Sequence, residues 1–283
     1  MPDDLMKTSF STLACPDWNL SQVIAAAVKY GYDGIELRVL SRELDLWTLP
    51  ELKPSKLSAA RKSIEDHGLV VTCIGSGAVF HSADARERQR QFDSVLRMAE
   101  IAAGLGAPAI RVFGDRIQSG NTRQQTSEWI AEALVHLAEE LTADRLEVWL
   151  ETHGDYASIA QVSALLQTLS SSSIGVIWDP AQAFEQEHEF PRLAPAFADR
   201  VRHVHLKDLV RDEQSSFHYV LTGDGEFPFD TVLTALHQKG FAGFVSFEWE
   251  KLWHEELASP EVALPHFMRW WTSRVAALFR AVK

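Results

Sequence analysis

Apolar residues along the chain alternate between two spacings. Short continuous runs have the length and the β-branched content of strands buried on both faces. The longer segments between them carry apolar residues three and four apart, as one buried helix face requires. Strands are predicted near residues 7–14, 34–38, 69–75, 109–113, 146–151, 174–178, 201–206 and 243–248. Helical stripes run through Leu20, Val23, Ile24, Ala27 and Val28; through Phe92, Val95, Leu96, Ala99, Ala102 and Ala103; and through Ile130, Ala133, Leu134, Leu137, Ala138 and Leu141. Asn19 and Gln22 are spaced as a cap pair for the first of these. Gly31, Gly68, Gly106 and Gly240 each stand between a helical stripe and a strand-like run, where a left-handed residue stops a helix.

Eight successive strand and helix units predict an α/β fold, a closed (β/α)8 barrel formed by a single domain over residues 1–283. An open doubly wound sheet with a dinucleotide site calls for G-x-G-x-x-G after an early strand, and none is present. Residues 211–229, with T-G-D-G-E-F, read as a long irregular loop on the active-site side whose tip is expected to cover substrate. Residues 260–283 read as a last helix carrying Phe267, Trp270, Trp271, Val275 and Leu278. That is more aromatic surface than closing a barrel requires, and a homodimer through this helix or nearby loops is expected from it.

Charge narrows the classes of partner. The chain has 27 basic and 39 acidic side chains, a formal charge of −12, and such a surface repels phosphate backbones, so no nucleic-acid partner is expected. Cys15 and Cys73 have neither disulfide-framework nor zinc-finger spacing. No apolar run approaches the ~18 residues of a membrane span, and the first residues lack the pattern of a secretory signal. A soluble cytoplasmic protein that engages no membrane is the expectation.

Four strand-like runs end on residues that bind metals. L-E-V-W-L-E ends on Glu151, I-G-V-I-W-D on Asp179, V-R-H-V-H on His205 and F-V-S-F-E on Glu248. A carboxylate closing a buried strand is costly unless a cation or a proton meets it, and in this barrel the C-terminal strand ends converge on the active site. The four therefore read as one divalent-metal site. Oxygen and nitrogen donors without thiolates suit a divalent ion, Mn²⁺ being the one expected, with Mg²⁺, Co²⁺ and Zn²⁺ as alternatives. His203 shares a strand face with His205 and reads as a core histidine or a support for the site.

At these residues the chain resembles the xylose isomerase-like TIM barrels, through V-W-L-E-T-H, V-I-W-D-P, R-H-V-H-L-K-D and V-S-F-E-W-E. That superfamily includes sugar-phosphate isomerases and epimerases, ketose 3-epimerases, inosose dehydratases, dehydroshikimate dehydratases and endonuclease IV. The resemblance implies that Glu151, Asp179, His205 and Glu248 hold a single divalent ion, with Glu151 and Glu248 flanking the substrate. It implies a carbohydrate-like small-molecule substrate and places His153, in an E-x-H pattern, on its oxygens. Two sequence features depart from particular members. Ketose 3-epimerases usually carry a histidine three residues after the strand-six aspartate, where Gln182 stands here and is expected to bind substrate in its place. The strand-three and strand-four ends, C-I-G-S-G and V-F-G-D, lack the extra ligands of the endonuclease.

The chemistry is independent of the likeness. A divalent ion stabilises the enediolate formed when a proton leaves carbon beside a carbonyl. Two carboxylates then serve as an acid/base pair, and the resemblance makes these Glu151 and Glu248. Isomerisation or epimerisation of a sugar or small polyhydroxylated substrate is the expected activity. The alternative is a lyase, a dehydratase of an inosose-like or keto-acid substrate or an eliminase of an oxidised sugar. Lys207 is expected to neutralise a substrate oxygen or to pair with Asp208. Glu36 and Arg38, in I-E-L-R, pair with each other or meet substrate, Glu36 being the one assigned to it. His81 is placed on the cavity rim, Trp178, Trp249 and Trp253 as apolar walls, and Glu250 on the same face as Glu248.

Overall fold

The apolar runs form eight parallel strands: β1 Lys7–Ser11, β2 Gly34–Leu37, β3 Val70–Val79, β4 Ala109–Phe113, β5 Glu147–Glu151, β6 Ile174–Trp178, β7 Val201–Leu206 and, after the hairpin strands β8 and β9, β10 Phe244–Phe247. The computed structural model describes residues 6–187, 193, 195–214 and 216–280. In order β1, β10, β7, β6, β5, β4, β3, β2 the strands close on themselves. The seam is the pairing of Lys7 with Phe244 through Phe10 with Phe247. Closure leaves no exposed sheet edge, which is why strands this short and apolar stay in one molecule.

Helices cover the outside. They are α1 Leu20–Tyr30, α2 Pro54–Glu65, α3 Ala85–Leu105, α4 Arg123–Glu140, α5 Ile159–Leu166, α6 Pro180–Glu187, α7 Pro195–Ala198, α8 Phe229–Gln238 and α9 Pro260–Arg280. Asn19 and Gln22 form the reciprocal cap of α1, and Gly31 ends it in the left-handed region at φ 83°. Val23, Ile24 and Ala27 are buried as their spacing implies, but Val28 is 47% exposed. It falls at the edge of the stripe.

Two segments differ from the sequence reading. The stretch after β7 begins as an antiparallel hairpin, β8 Asp208–Arg211 with β9 Phe217–Val220. The carboxylate of Asp208 accepts from the backbone N–H groups of Leu209, Gly223, Gly225 and Phe227 at 2.7–3.2 Å. One buried anion thus gathers the return loop, where an irregular loop was expected. The aromatic surplus of α9 also has a use inside the chain. Phe267 stacks on Phe247 at 4.6 Å and lies 6.3 Å from Tyr32, Trp270 meets Phe229 at 4.6 Å, and Phe267, Trp271 and Val275 are buried. The helix seals the β1 and β10 side of the barrel, so the observation behind the dimer expectation is accounted for within one chain.

Candidate metal centre

β5 ends on Glu151, β6 is followed at once by Asp179, β7 carries His205 and β10 is followed by Glu248. All four are buried, and one donor atom from each lies within 4.8 Å of the others. The alternation of side chains along each strand points them into the barrel, and parallel closure brings the four ends to one level. Local bonds fix Asp179. Thr152 Oγ1 accepts from its backbone N–H at 2.8 Å, and its own Oδ1 accepts from Ala181 N at 3.0 Å, capping the first turn of α6. Its buried Oδ2 has the ion pair with Lys207 at 2.8 Å, and the buried Nδ1 of His205 makes no hydrogen bond among the described residues.

The unsatisfied Nδ1 of His205 faces its fellow ligands. His205 Nδ1 lies 3.3 Å from Glu151 Oε1 and 3.2 Å from Glu248 Oε1, without hydrogen-bond geometry to either. Its other nitrogen, Nε2, is 3.0 Å from Glu36 Oε2, which also takes His203 Nε2 at 2.9 Å. A carboxylate behind the far nitrogen of an imidazole orients the near nitrogen toward a metal and raises its basicity. Burial pushes the Glu36 pKa upward, but His205 and His203 outweigh it and hold the carboxyl well below its usual range. Burial would likewise lower His205, yet Glu248, Glu36 and Glu151 raise it well above the ordinary imidazole value. The cluster demands positive charge at Nδ1, and a divalent ion meets that demand. Three carboxylates and one imidazole form the hard, mixed O/N donor set that Mn²⁺, Mg²⁺, Co²⁺ and Zn²⁺ accept.

Fixed cations surround the donors. Lys207 Nζ lies 2.8 Å from Asp179 Oδ2 and 2.6 Å from both Glu248 Oε2 and Glu250 Oε1. Its pairing with Asp208, one of two readings of H-L-K-D, does not occur, because Asp208 is occupied by the hairpin loop. Arg111 Nη1 donates to Glu151 Oε2 at 2.6 Å while its guanidinium sits 4.0 Å over the Phe113 ring. Burial works to raise both catalytic candidates. Arg111 and His205 keep Glu151 below its usual range, and His205 and Lys207 do the same for Glu248. Asp179 is the exception: burial lifts it to about 7 against the pull of Lys207.

A cavity of about 210 Å³ opens above the donors. It is lined by Leu13, Arg38, Arg111, Phe113, Glu151, His153, Lys207, Glu248, Glu250 and Trp253. Of the four donors only Glu151 and Glu248 line it. Asp179 and His205 lie beneath. His153 reaches the cavity with Nδ1 3.1 Å from Asp115 Oδ1.

Other expectations change. Glu36 does not meet the cavity: it is 1% exposed and bonded to two histidines, since inward-facing residues two apart on β2 occupy successive layers and Arg38 takes the upper one. It does not pair with Arg38. Neither His81, which accepts from Arg116 N at 3.3 Å, nor Gln182 in the first turn of α6 lines the cavity. Trp178 packs against Phe197, and Trp249 donates to Ala258 O at 2.9 Å; of the three tryptophans only Trp253 walls the cavity. Tyr219, on the return strand, has its ring 5.5 Å from Lys207 Nζ. Arg111 was missed, although an arginine inside the apolar run A-I-R-V-F is the kind of signal that marks a buried, partnered charge.

The sequence model for the xylose isomerase-like TIM barrel matches residues 24–273. The chain belongs to that family. No curated protein matches it. Among solved structures, the IolI protein with a bound zinc atom superposes with a TM-score of 0.79 at 17% identity, over 97% of this chain and 99% of that one. An L-ribulose 3-epimerase gives 0.78 at 18% identity, over 98% and 97%. The probable 3-DHS dehydratase AsbF of Bacillus anthracis, described as involved in petrobactin synthesis, gives 0.73 at 17%, over 94% and 99%. At these identities the likeness is one of fold.

Proposed function

We propose that this protein is an enzyme of one domain over residues 1–283, a divalent-metal-dependent isomerase or epimerase of a sugar or small polyhydroxylated substrate, working in the cytoplasm. One observation carries the reading: of four buried donors, the two that border the cavity are the two glutamates, Glu151 at the end of β5 and Glu248 after β10. Glu151, Asp179, His205 and Glu248 would hold the ion, Mn²⁺ in first place. When bound, the ion supplies Lewis-acid stabilisation of charge developing on substrate oxygens. Glu151 and Glu248 act as the proton-transfer pair, one taking the proton from carbon through a carboxylate oxygen and the other returning it. Arg111 keeps Glu151 ionised and oriented, Lys207 does this for Glu248, and His153, held by Asp115, is placed to bond a substrate hydroxyl. Trp253 and Phe113 supply apolar walls. A cavity of about 210 Å³ admits only a small substrate, below the usual ~300–1,000 Å³ of drug-sized sites.

The alternative, a lyase acting on a keto acid or oxidised sugar, is favoured by one feature, the two arginines on the cavity wall. Proton exchange in D₂O separates them. Incubation of Mn²⁺-supplied protein with ketoses, inososes and keto acids should wash deuterium into one carbon position without loss of the carbonyl; a new conjugated absorbance selects the lyase instead. Glu151→Gln and Glu248→Gln should each slow exchange by about 100-fold or more at saturating metal. Elemental analysis supplies the metal arm: about one divalent ion per chain in the parent and little in Asp179→Ala. A parent that takes up no ion and exchanges no substrate proton would end this reading.

A further inference from the structure

Arg38 is 8% exposed, lines the cavity, and its guanidinium has no hydrogen bond or ion pair among the described residues. Only its backbone N–H is engaged, by Thr12 Oγ1. A second guanidinium lies beside it. A Cβ built on Gly75 would stand 2.9 Å from Arg111 Nη2 and 2.9 Å from Arg38 Cδ, and one on Gly77 would stand 3.1 Å from Arg38 Nη2. The glycines of β3 therefore make a seat on which two arginines lie side by side. Arg111 has one Nη on Glu151 and its buried Nε without a hydrogen-bond partner among the described residues. Two adjacent guanidiniums repel, and an unpaired one that is nine-tenths buried is costly. Such an arrangement is stable in the working enzyme when an anion lies against it.

We propose that Arg38 and Arg111 form a carboxylate-binding subsite on the cavity wall, and that the substrate is an acid, a sugar acid or polyhydroxylated keto acid. This rests on the reading of Glu151 and Glu248 as the reacting carboxylates only for which end of the acid reacts. The guanidinium fork matches a planar carboxylate through paired N–H donors. The sequence carries no phosphate-cradling glycine loop, and the planar guanidiniums suit a planar carboxylate in a cavity of about 210 Å³. Arg111 touches both halves of the site, so an acid held there presents its neighbouring carbons to Glu151. Recognition of a neutral sugar would leave Arg38 unpaired, and the subsite thus discriminates by charge.

Binding is measured by calorimetry on the full chain, stripped of metal by chelation so that no ion coordinates the probe. Threonate is compared with erythritol, its neutral counterpart, and with inorganic phosphate. Threonate should bind, erythritol should not, and phosphate should bind more weakly than threonate. Arg38→Gln should weaken threonate binding by about tenfold to a hundredfold, with Arg38→Lys intermediate. Gly77→Ala, which moves the guanidinium without removing it, should also weaken binding, and its circular dichroism should match the parent. Equal affinity for erythritol, or threonate binding untouched by both Arg38→Gln and Gly77→Ala, overturns the subsite. Tighter phosphate binding replaces the carboxylate with a phosphate and overturns the assignment of substrate class. Because the metal is absent, a protein that later fails to take up Mn²⁺ or exchange protons would still reveal the subsite. Conversely, metal uptake and exchange with neutral ketoses would survive its loss.

Discussion

At the scale of single residues, the site divides into groups that chemistry makes visible in sequence and groups that only packing reveals. Glu151, Asp179, His205 and Glu248 are visible because each interrupts an apolar strand at its end, where a buried charge requires an explanation. Glu36 gives the same signal, but its partners are 167 and 169 residues away, and nothing in I-E-L-R says that a histidine layer lies opposite. Its work is to hold His205. Glu36→Gln keeps the size and one acceptor while removing the charge behind Nε2, so Mn²⁺ affinity in a metal titration should fall by about 10- to 100-fold. Unchanged affinity would mean that His205 is fixed by its strand alone. Arg38 and Arg111 illustrate the converse case. Their charges are obvious, but their adjacency depends on Gly75 and Gly77 lacking side chains, which a linear reading of C-I-G-S-G does not convey.

The elements were legible where periodicity was long and closed by caps. Strands of the barrel fall within a few residues of the predicted runs, and α1 and α4 start at reciprocal caps spelled out by Asn19 with Gln22 and Thr122 with Gln125. The β8–β9 hairpin was not legible, because D-L-V-R and F-H-Y-V are four residues each and both faces of the ribbon mix polar and apolar residues. Its order depends on Asp208 and not on apolar pattern. Asp208→Ala removes the acceptor of four N–H groups, each bond to a carboxylate being worth roughly 1.5–3 kcal/mol. Hydrogen exchange at Gly223, Gly225 and Phe227 should accelerate while the strands of the barrel keep their protection. Gly225→Ala should act in the same direction, since a Cβ there collides with the Asp208 carboxylate and with Leu209 O. Acceleration throughout the barrel would instead make the hairpin part of the global unit. The loss belongs on substrate turnover as well, because Tyr219 rides on this ribbon and meets Lys207.

For the whole molecule, closure of the barrel and assembly of the donor set are the same event. The four donors come from β5, β6, β7 and β10, consecutive members of the closed ring apart from the hairpin excursion. An ion bound by them ties half the barrel together and has no counterpart in the unfolded chain. Binding to the folded state alone stabilises by mass action, about 2.7 kcal/mol at a free ion concentration 100 times the dissociation constant. For a chain of 283 residues that corresponds to a rise in Tm of roughly 4–6 °C, from the usual unfolding entropy per residue. Scanning calorimetry with Mn²⁺ at that ratio should show the rise in the parent as a single displaced transition and not in Asp179→Ala. Acid should reverse it. Protons compete with the ion for three carboxylates and an imidazole, so metal-dependent stabilisation shrinks as pH falls and returns when it is raised. A shift in the parent that persists in Asp179→Ala would place the stabilising ion elsewhere on a surface of charge −12. A displaced transition that splits in two would show that β5, β6, β7 and β10 unfold apart from the β1 to β4 half, which the seam between β1 and β10 opposes.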